Sequence, residues 1–330
     1  MTSTSGGAPP TALSEVTQGD QIGRGATATV HLATATATGQ RFVLKVVEKK
    51  KIAGQTQLAR LFREKELLNT LSHPAIVKFH ATFKDDERLY FLLELLAGGE
   101  LLWHIRQDKR CRLMPPDARI VLAQLLLPLQ FMQEQRVLYR DLKPPNIVFT
   151  ASGRLKLVDF GHAKRIEGST PLEEERSMSV CGTPHYNAPE TVRGEGHGLA
   201  AQLWALGVLH VEMLYGRAPF WAAGPAPPLN EQILAADPDL VPLPEDAQVL
   251  ARALLTADPT ERAANFDNKG YAGVRAHAYF ADVDWAAIES GGLVPNFDFA
   301  LHAADLLGET TASKPNTDEV EELSKVFADF

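Results

Sequence analysis

The sequence predicts an α+β protein of two unequal lobes with a cleft at their junction. Three observations predict it. Up to residue 96 the apolar residues fall in short β-rich runs around one helical repeat; after Ala97-Gly98-Gly99 the helical period takes over; and chemically distinctive residues lie on both sides of that change. The 330 residues, 45% apolar and 22% charged, provide ample chain for a buried core. A net charge of −8 argues against nucleic acid or an acidic membrane surface as the main partner. No run of about 18 apolar residues occurs, so no membrane span is expected. The first residues lack a secretory pattern, and Cys111 and Cys181 alone make no disulfide framework. The expectation is a cytoplasmic protein.

Residues 1–17, rich in Thr, Ser, Gly and Pro, have little to bury and read as a disordered leader. The small lobe is expected over 18–96. It opens on a strand near Asp20 and continues with β-rich runs at 29–33, 42–47, 77–82 and 89–95. A helix at 57–71 repeats Leu58, Leu61, Phe62, Leu67, Leu68 and Leu71. The large lobe, 97–290, carries helices at 101–108, 116–135, 198–215 and 246–255, with 223–230 a loop by its glycine and prolines. Residues 291–330 form a C-terminal tail. There is no internal repeat.

Gly23-Arg24-Gly25-Ala26-Thr27-Ala28-Thr29-Val30 joins the first two strands, and its glycines let backbone N–H groups approach a phosphate closely. Alone it suits a plain Gly-Arg-Gly hairpin equally. Lys45 ends an apolar strand fifteen residues past Val30, where an ordinary lysine would snorkel to the surface. Glu64 on the small-lobe helix can instead pair with it, although a solvated helix face is charged in the same way. In the large lobe, Tyr139-Arg140-Asp141-Leu142-Lys143-Pro144-Pro145-Asn146 is followed by Asp159-Phe160-Gly161, thirteen residues past the asparagine. This is the spacing by which a phosphoryl-transfer site holds a hydroxyl and two metal ions. Asp141 accepts or orients the hydroxyl proton, Lys143 neutralises phosphate charge, and Asn146 and Asp159 are the metal ligands; Mg²⁺ needs few protein oxygens because it shares the phosphates' own.

From about 18 to 297 the chain resembles the AGC-class serine/threonine protein kinases. Tyr139 before Arg-Asp, the stretch Cys181-Gly182-Thr183-Pro184-His185-Tyr186 and Ala188-Pro189-Glu190 carry the likeness. Within the class it looks most like the 3-phosphoinositide-dependent kinases, through residues 82–91, Gly99-Glu100-Leu101-Leu102-Trp103-His104-Ile105-Arg106, Leu203-Trp204-Ala205-Leu206-Gly207, Gly270-Tyr271 and residues 276–280. The resemblance implies a bilobal protein-kinase fold that uses ATP and Mg²⁺ to phosphorylate Ser or Thr of proteins, with activation loops of other AGC-type kinases as substrates. An inactive nucleotide-binding scaffold is the alternative. Ile22, Gly23, Gly25, Val30, Val43 and Lys45 then cover the nucleotide, with Leu93 as gatekeeper, Glu94 and Leu96 as hinge, Glu100 at the ribose and Val148 below adenine. Leu68, Phe79, Tyr139 and Phe160 match the residues stacked between the lobes, and Glu190 with Arg262 a buried ion pair. Ser179 matches the phosphorylated residue of the activation loop, facing Arg140, Lys164 and Arg60 or Arg63, with Ser177 as the other acceptor.

The chain departs from the pattern at several points. Gln202 replaces an aspartate that anchors the catalytic loop; a weaker anchor is expected. Ala28 replaces the third glycine, Val43 a smaller alanine, and Pro145 an acidic residue that reads substrate arginine. No pleckstrin domain is expected. The chain instead ends with Phe327 and Phe330 in the Phe-x-x-Phe form by which AGC tails dock in cis, onto a pocket of Lys49, Ile52, Ala53, Leu61, Lys84 and Leu89. An amphipathic helix through Val320, Leu323, Phe327 and Phe330 is the other reading of the same residues.

Overall fold

Alternating apolar residues draw the first part of the chain into a five-stranded antiparallel sheet in the order β1-β2-β3-β5-β4. The computed structural model describes residues 8–25, 27–107, 109–168, 177–178, 182–221, 227–300 and 302–303. The strands are β1 (Val16–Arg24), β2 (Ala28–Ala35), β3 (Arg41–Glu48), β4 (Phe79–Lys84) and β5 (Arg88–Glu94). Helix α1 (Gly54–Thr70) crosses between β3 and β4 and buries Glu64, Leu67 and Leu68. Two expectations for this lobe need correction. Leu13–Glu15 form a 3-10 turn and Val16 already pairs with Ala35, so the end of the presumed leader belongs to the sheet. The apolar residues of α1 are also not one buried stripe: Phe62 is 65% exposed and Leu58 38%, because only the C-terminal half of the helix packs into the core.

The large lobe contains α2 (Leu101–Gln107), α3 (Pro115–Glu134), the short strands β6 (Val137–Leu138), β7 (Ile147–Phe149), β8 (Leu155–Leu157) and β9 (Lys164–Arg165), and helices α4 (Pro189–Val192), α5 (Leu199–Tyr215), α6 (Leu229–Ala235), α7 (Glu245–Leu254), α8 (Pro259–Ala264), α9 (Tyr271–Arg275) and α10 (Trp285–Ser290). Helix α6 begins inside the stretch expected to be loop: Pro228 fixes an extended backbone just before it, and Leu229 opens the helix. Helix α5 is apolar nearly all round, and α3, α7 and α8 pack against it. Arg262 ties α8 to this centre. Its Nη1 and Nη2 donate to the two Glu190 carboxylate oxygens at 2.7 and 3.1 Å, and its remaining N–H groups reach Ala200, Thr256 and Ala257 carbonyls. Every donor is satisfied, which is what lets a charge sit at 0% exposure.

The lobes meet along β8. Leu157 N–H donates to Ala75 O at 2.9 Å and Val77 N–H to Leu157 O at 2.9 Å, so the loop after α1 is fastened to the strand that leads to Asp159. On the other side, Gly98 N–H donates to Phe149 O and Phe149 N–H to Gly99 O. Among the described residues no helix is long and apolar enough to cross a membrane.

Candidate active site

β3 presents Lys45 to the cleft because its neighbours Leu44 and Val46 face the opposite side of the strand into a separate core. Lys45 Nζ lies 2.6 Å from Glu64 Oε1 on α1 and 3.2 Å from Asp159 Oδ1 in the large lobe. Burial alone would favour neutral lysine, but the two carboxylates overcome it and hold the Lys45 ammonium above its usual range. The Lys45 charge holds Asp159 below the usual carboxylate range. Glu64, almost fully buried, is pushed upward by desolvation against the pull of Lys45. Three charges from three elements thus form one cross-lobe network.

Opposite this network the catalytic-loop residues converge on Asp141. Lys143 Nζ lies 3.0 Å from Asp141 Oδ2, Asn146 Nδ2 donates to the same oxygen at 2.9 Å, and Thr183 Oγ1 donates to Oδ1 at 3.3 Å. Asn146 also donates to Asp141 O, and Val158 N–H donates to Asn146 O at 3.0 Å, so the asparagine sits beside the turn bearing Asp159. Gln202 Oε1 accepts from Tyr139 N–H at 2.6 Å and Arg140 N–H at 3.2 Å. The glutamine therefore anchors the loop, with a neutral acceptor in place of a charged one. Arg140 and Asp159 have φ of +67° and +55°, a conformation that non-glycine residues adopt mostly where the surroundings impose it. Phe160 points into the core, edge-on to Tyr139 at 5.4 Å; Leu68 is buried in the same core and Phe79 packs against it.

The nucleotide-side residues line up across the sheet. Gly23 pairs with Val30, Val30 with Lys45, and Val43 with Leu93. Gly25 N–H donates to Ala28 O at 2.8 Å, closing the hairpin whose first strand carries Ile22. Leu96 is buried just after β5, and Glu100 bridges Val148 of β7. Glu94 ends β5, and its carboxylate is engaged by Lys156 of β8. The chain itself does not require glycine in this hairpin: a Cβ at Gly23 or Gly25 would come no closer than 3.4 Å to another atom. What the two glycines leave open is room for a ligand's phosphates, and the donor set below them is oxygen-rich, so the residues fit ATP with a divalent metal. Among the described residues no three His, Cys, Asp or Glu side chains cluster as a metal site.

The regulatory residues need a distinction. Ser179 and Cys181 lie outside the described residues, as do Phe327 and Phe330. Ser177 is described and buried; Arg140 Nη1 donates to its Oγ at 2.8 Å and Lys164 Nζ approaches at 3.4 Å. Arg165 of β9 donates to Thr70 Oγ1 of α1 at 3.2 Å, while any contact of Arg60 or Arg63 with Ser179 lies outside the described residues. Lys49, Ile52, Lys84 and Leu89 gather at one side of the small lobe: Leu89 pairs with Lys84 and Val47, Lys49 donates to Asp85 O, and Ile52 packs with Leu61 against the core. Sequence reasoning assigned no role to Thr183, Arg165 or Lys156. Thr183 stood within a quoted motif, which was the available signal; the other two contacts join distant parts of the chain.

The Protein kinase domain family matches residues 16–280. The chain is similar to the cAMP-dependent protein kinase catalytic subunit of Dictyostelium discoideum, 32% identical over 96% of this chain and 49% of that protein. It is also similar to the protein kinase C zeta type of Oryctolagus cuniculus, at 33% identity over 86% of this chain and 49% of that one. A cGMP-dependent protein kinase of Toxoplasma gondii is 37% identical over 83% of this chain and 27% of its own length. The chain spans about half the length, or less, of these curated relatives. It belongs to the protein kinase family, and the relatives it matches are of the AGC type.

Proposed function

We propose that the chain is a protein serine/threonine kinase that transfers the γ-phosphate of Mg-ATP to a Ser or Thr hydroxyl of protein substrates. The observation that carries this reading is Lys45 bridging Glu64 and Asp159 across the lobes while Lys143, Asn146 and Thr183 position Asp141. Bound Mg-ATP supplies the transferable phosphoryl group and the metal charge that screens it. The chain's own residues do the rest. Gly23 and Gly25 give backbone room above the phosphates; Lys45, charged at neutral pH, is aimed by Glu64; Asn146 and Asp159 would hold the metal. Asp141 orients the incoming hydroxyl and takes its proton, with Lys143 beside it to offset negative charge.

The likeness to the 3-phosphoinositide-dependent kinases supports activation loops of other AGC-type kinases as the substrate class, in the cytoplasm. The Phe-x-x-Phe ending, and the half-exposed apolar face around Ile52, Leu61 and Leu89, support a tail that docks in cis and steadies α1. The test of the activity is transfer of labelled γ-phosphate from Mg-ATP to a Thr-containing activation-loop peptide, beside Asp159→Ala. Transfer by wild type that disappears in the variant is the expected result. Equal silence of both, with ATP still bound by wild type, would leave a nucleotide-binding scaffold instead.

A further inference from the structure

The hinge between the lobes is held to the β7–β8 hairpin at two ends by different means. Beyond the hinge the fastening is backbone: the Gly98–Phe149 and Phe149–Gly99 bonds, and the bridge between Glu100 and Val148. Before the hinge a side-chain clasp is added to backbone bonds, Glu94 N–H to Lys78 O at 3.0 Å and Val77 N–H to Leu157 O at 2.9 Å. Glu94 Oε1 accepts from Lys156 Nζ at 2.5 Å and from Lys78 N–H at 2.5 Å. Lys156 is the central residue of β8, between buried Leu155 and Leu157, and it pairs across the ladder with Val148, the residue expected under adenine. The two side chains are only 14% and 23% exposed, so solvent screens the pair weakly.

We propose that Lys156 is a positioning residue for the nucleotide: by gripping Glu94 it sets the distance between the hinge backbone, where an adenine edge would pair, and the Val148 floor below the ring. The inference rests on the nucleotide site proposed above. A packing role alone would be met by an uncharged chain of the same length at this mid-strand position, whereas the ammonium reaches the one carboxylate that ends β5. Because the Glu94 carboxylate also accepts from Lys78 N–H at the entrance to β4, losing the clasp removes the side-chain fastening on the small-lobe side while the backbone bonds at Lys78, Leu157, Gly98 and Gly99 stay intact. The effect therefore falls on adenine binding and not on Lys45, Asp141 or Asp159.

The experiment measures binding of ATP and of adenosine, together with steady-state kinetics, for wild type, Lys156→Met and Lys156→Arg. Loss of one charge-assisted contact weakens both ligands about fivefold in Lys156→Met, raises KM for ATP in step, and leaves kcat within roughly twofold; Lys156→Arg recovers most of the affinity. Adenosine carries no phosphate, so its parallel loss assigns the effect to the adenine side. Should Lys156→Met fail to fold, Glu94→Gln removes the charge from the same contact while its amide oxygen still accepts from Lys78 and Lys156, and weakens both ligands in parallel by less than Lys156→Met would. Unchanged affinity for both ligands in the variants, or a lower melting temperature with unchanged KM, overturns the proposal while the kinase reading stands. Failure of wild type to bind ATP or adenosine would remove both.

Discussion

Two ion pairs in this molecule hold the same kinds of charge in opposite ways. Arg262 and Glu190 lie in the large lobe with every guanidinium N–H matched to an acceptor, two of them on the carboxylate and three on backbone carbonyls. Lys45 lies at the cleft between carboxylates from α1 and from the turn before Phe160, and its neighbours belong to parts of the chain that meet only when the lobes are in register. The first pair is saturated within one lobe and serves the fold. The second is shared between lobes, so its geometry reports their relative position; that is the property a phosphate-positioning lysine needs. The difference lies in how many partners each charge has and whether they move together.

The largest expected effect comes from breaking the saturated pair. Arg262→Met strands Glu190 without its partner and removes three backbone contacts, so it should cost about 3–5 kcal/mol in chemical denaturation. A cost below about 1 kcal/mol would mean the pair is dispensable to the fold.

A smaller, graded effect comes from acid. Desolvation pushes the buried His104, His197 and His210 down to about 4. Their folded values lie below the unfolded value near 6.5, so the stability they contribute is present above that pH and lost as pH falls toward 4. Each such histidine contributes a slope of about 1.4 kcal/mol per pH unit in that window. Replacing His210 with Asn, which can still donate to Ala247 O, should flatten the pH dependence of the melting temperature, by less than a third because His73, His80, His162, His185 and His277 are lowered as well. Lys45, held upward, and Asp159, held downward, keep their charges through the same window.

Much of the site could be read before the fold was seen, for a physical reason. Asp141, Lys143, Asn146 and Asp159 are close in sequence, so a short loop and one hairpin bring them together with little help from the rest of the chain. Lys45 and Glu64 lie further apart, but β3 and α1 follow one another and leave few ways to face the cleft. What could not be read depends on long-range contacts or local backbone choice. The positive φ at Arg140 and Asp159 follows from anchors such as Gln202, sixty-two residues after Arg140. The Glu94–Lys156 clasp joins residues sixty-two positions apart that form no motif. Val16 looked like leader because a single valine after a polar stretch carries no periodicity; its pairing with Ala35 decides its state. Apolar spacing on α1 indicated a helix correctly but did not show that Phe62 would remain largely exposed.

The central claim is that the cross-lobe network serves catalysis and the saturated pair serves stability. The most direct test is Lys45→Met beside Arg262→Met, with γ-phosphate transfer and thermal unfolding measured on the same preparations. The account predicts that Lys45→Met loses transfer by at least about a hundredfold while its melting temperature shifts far less than that of Arg262→Met. Retained transfer in Lys45→Met, or an equal loss of stability in the two variants, would contradict it.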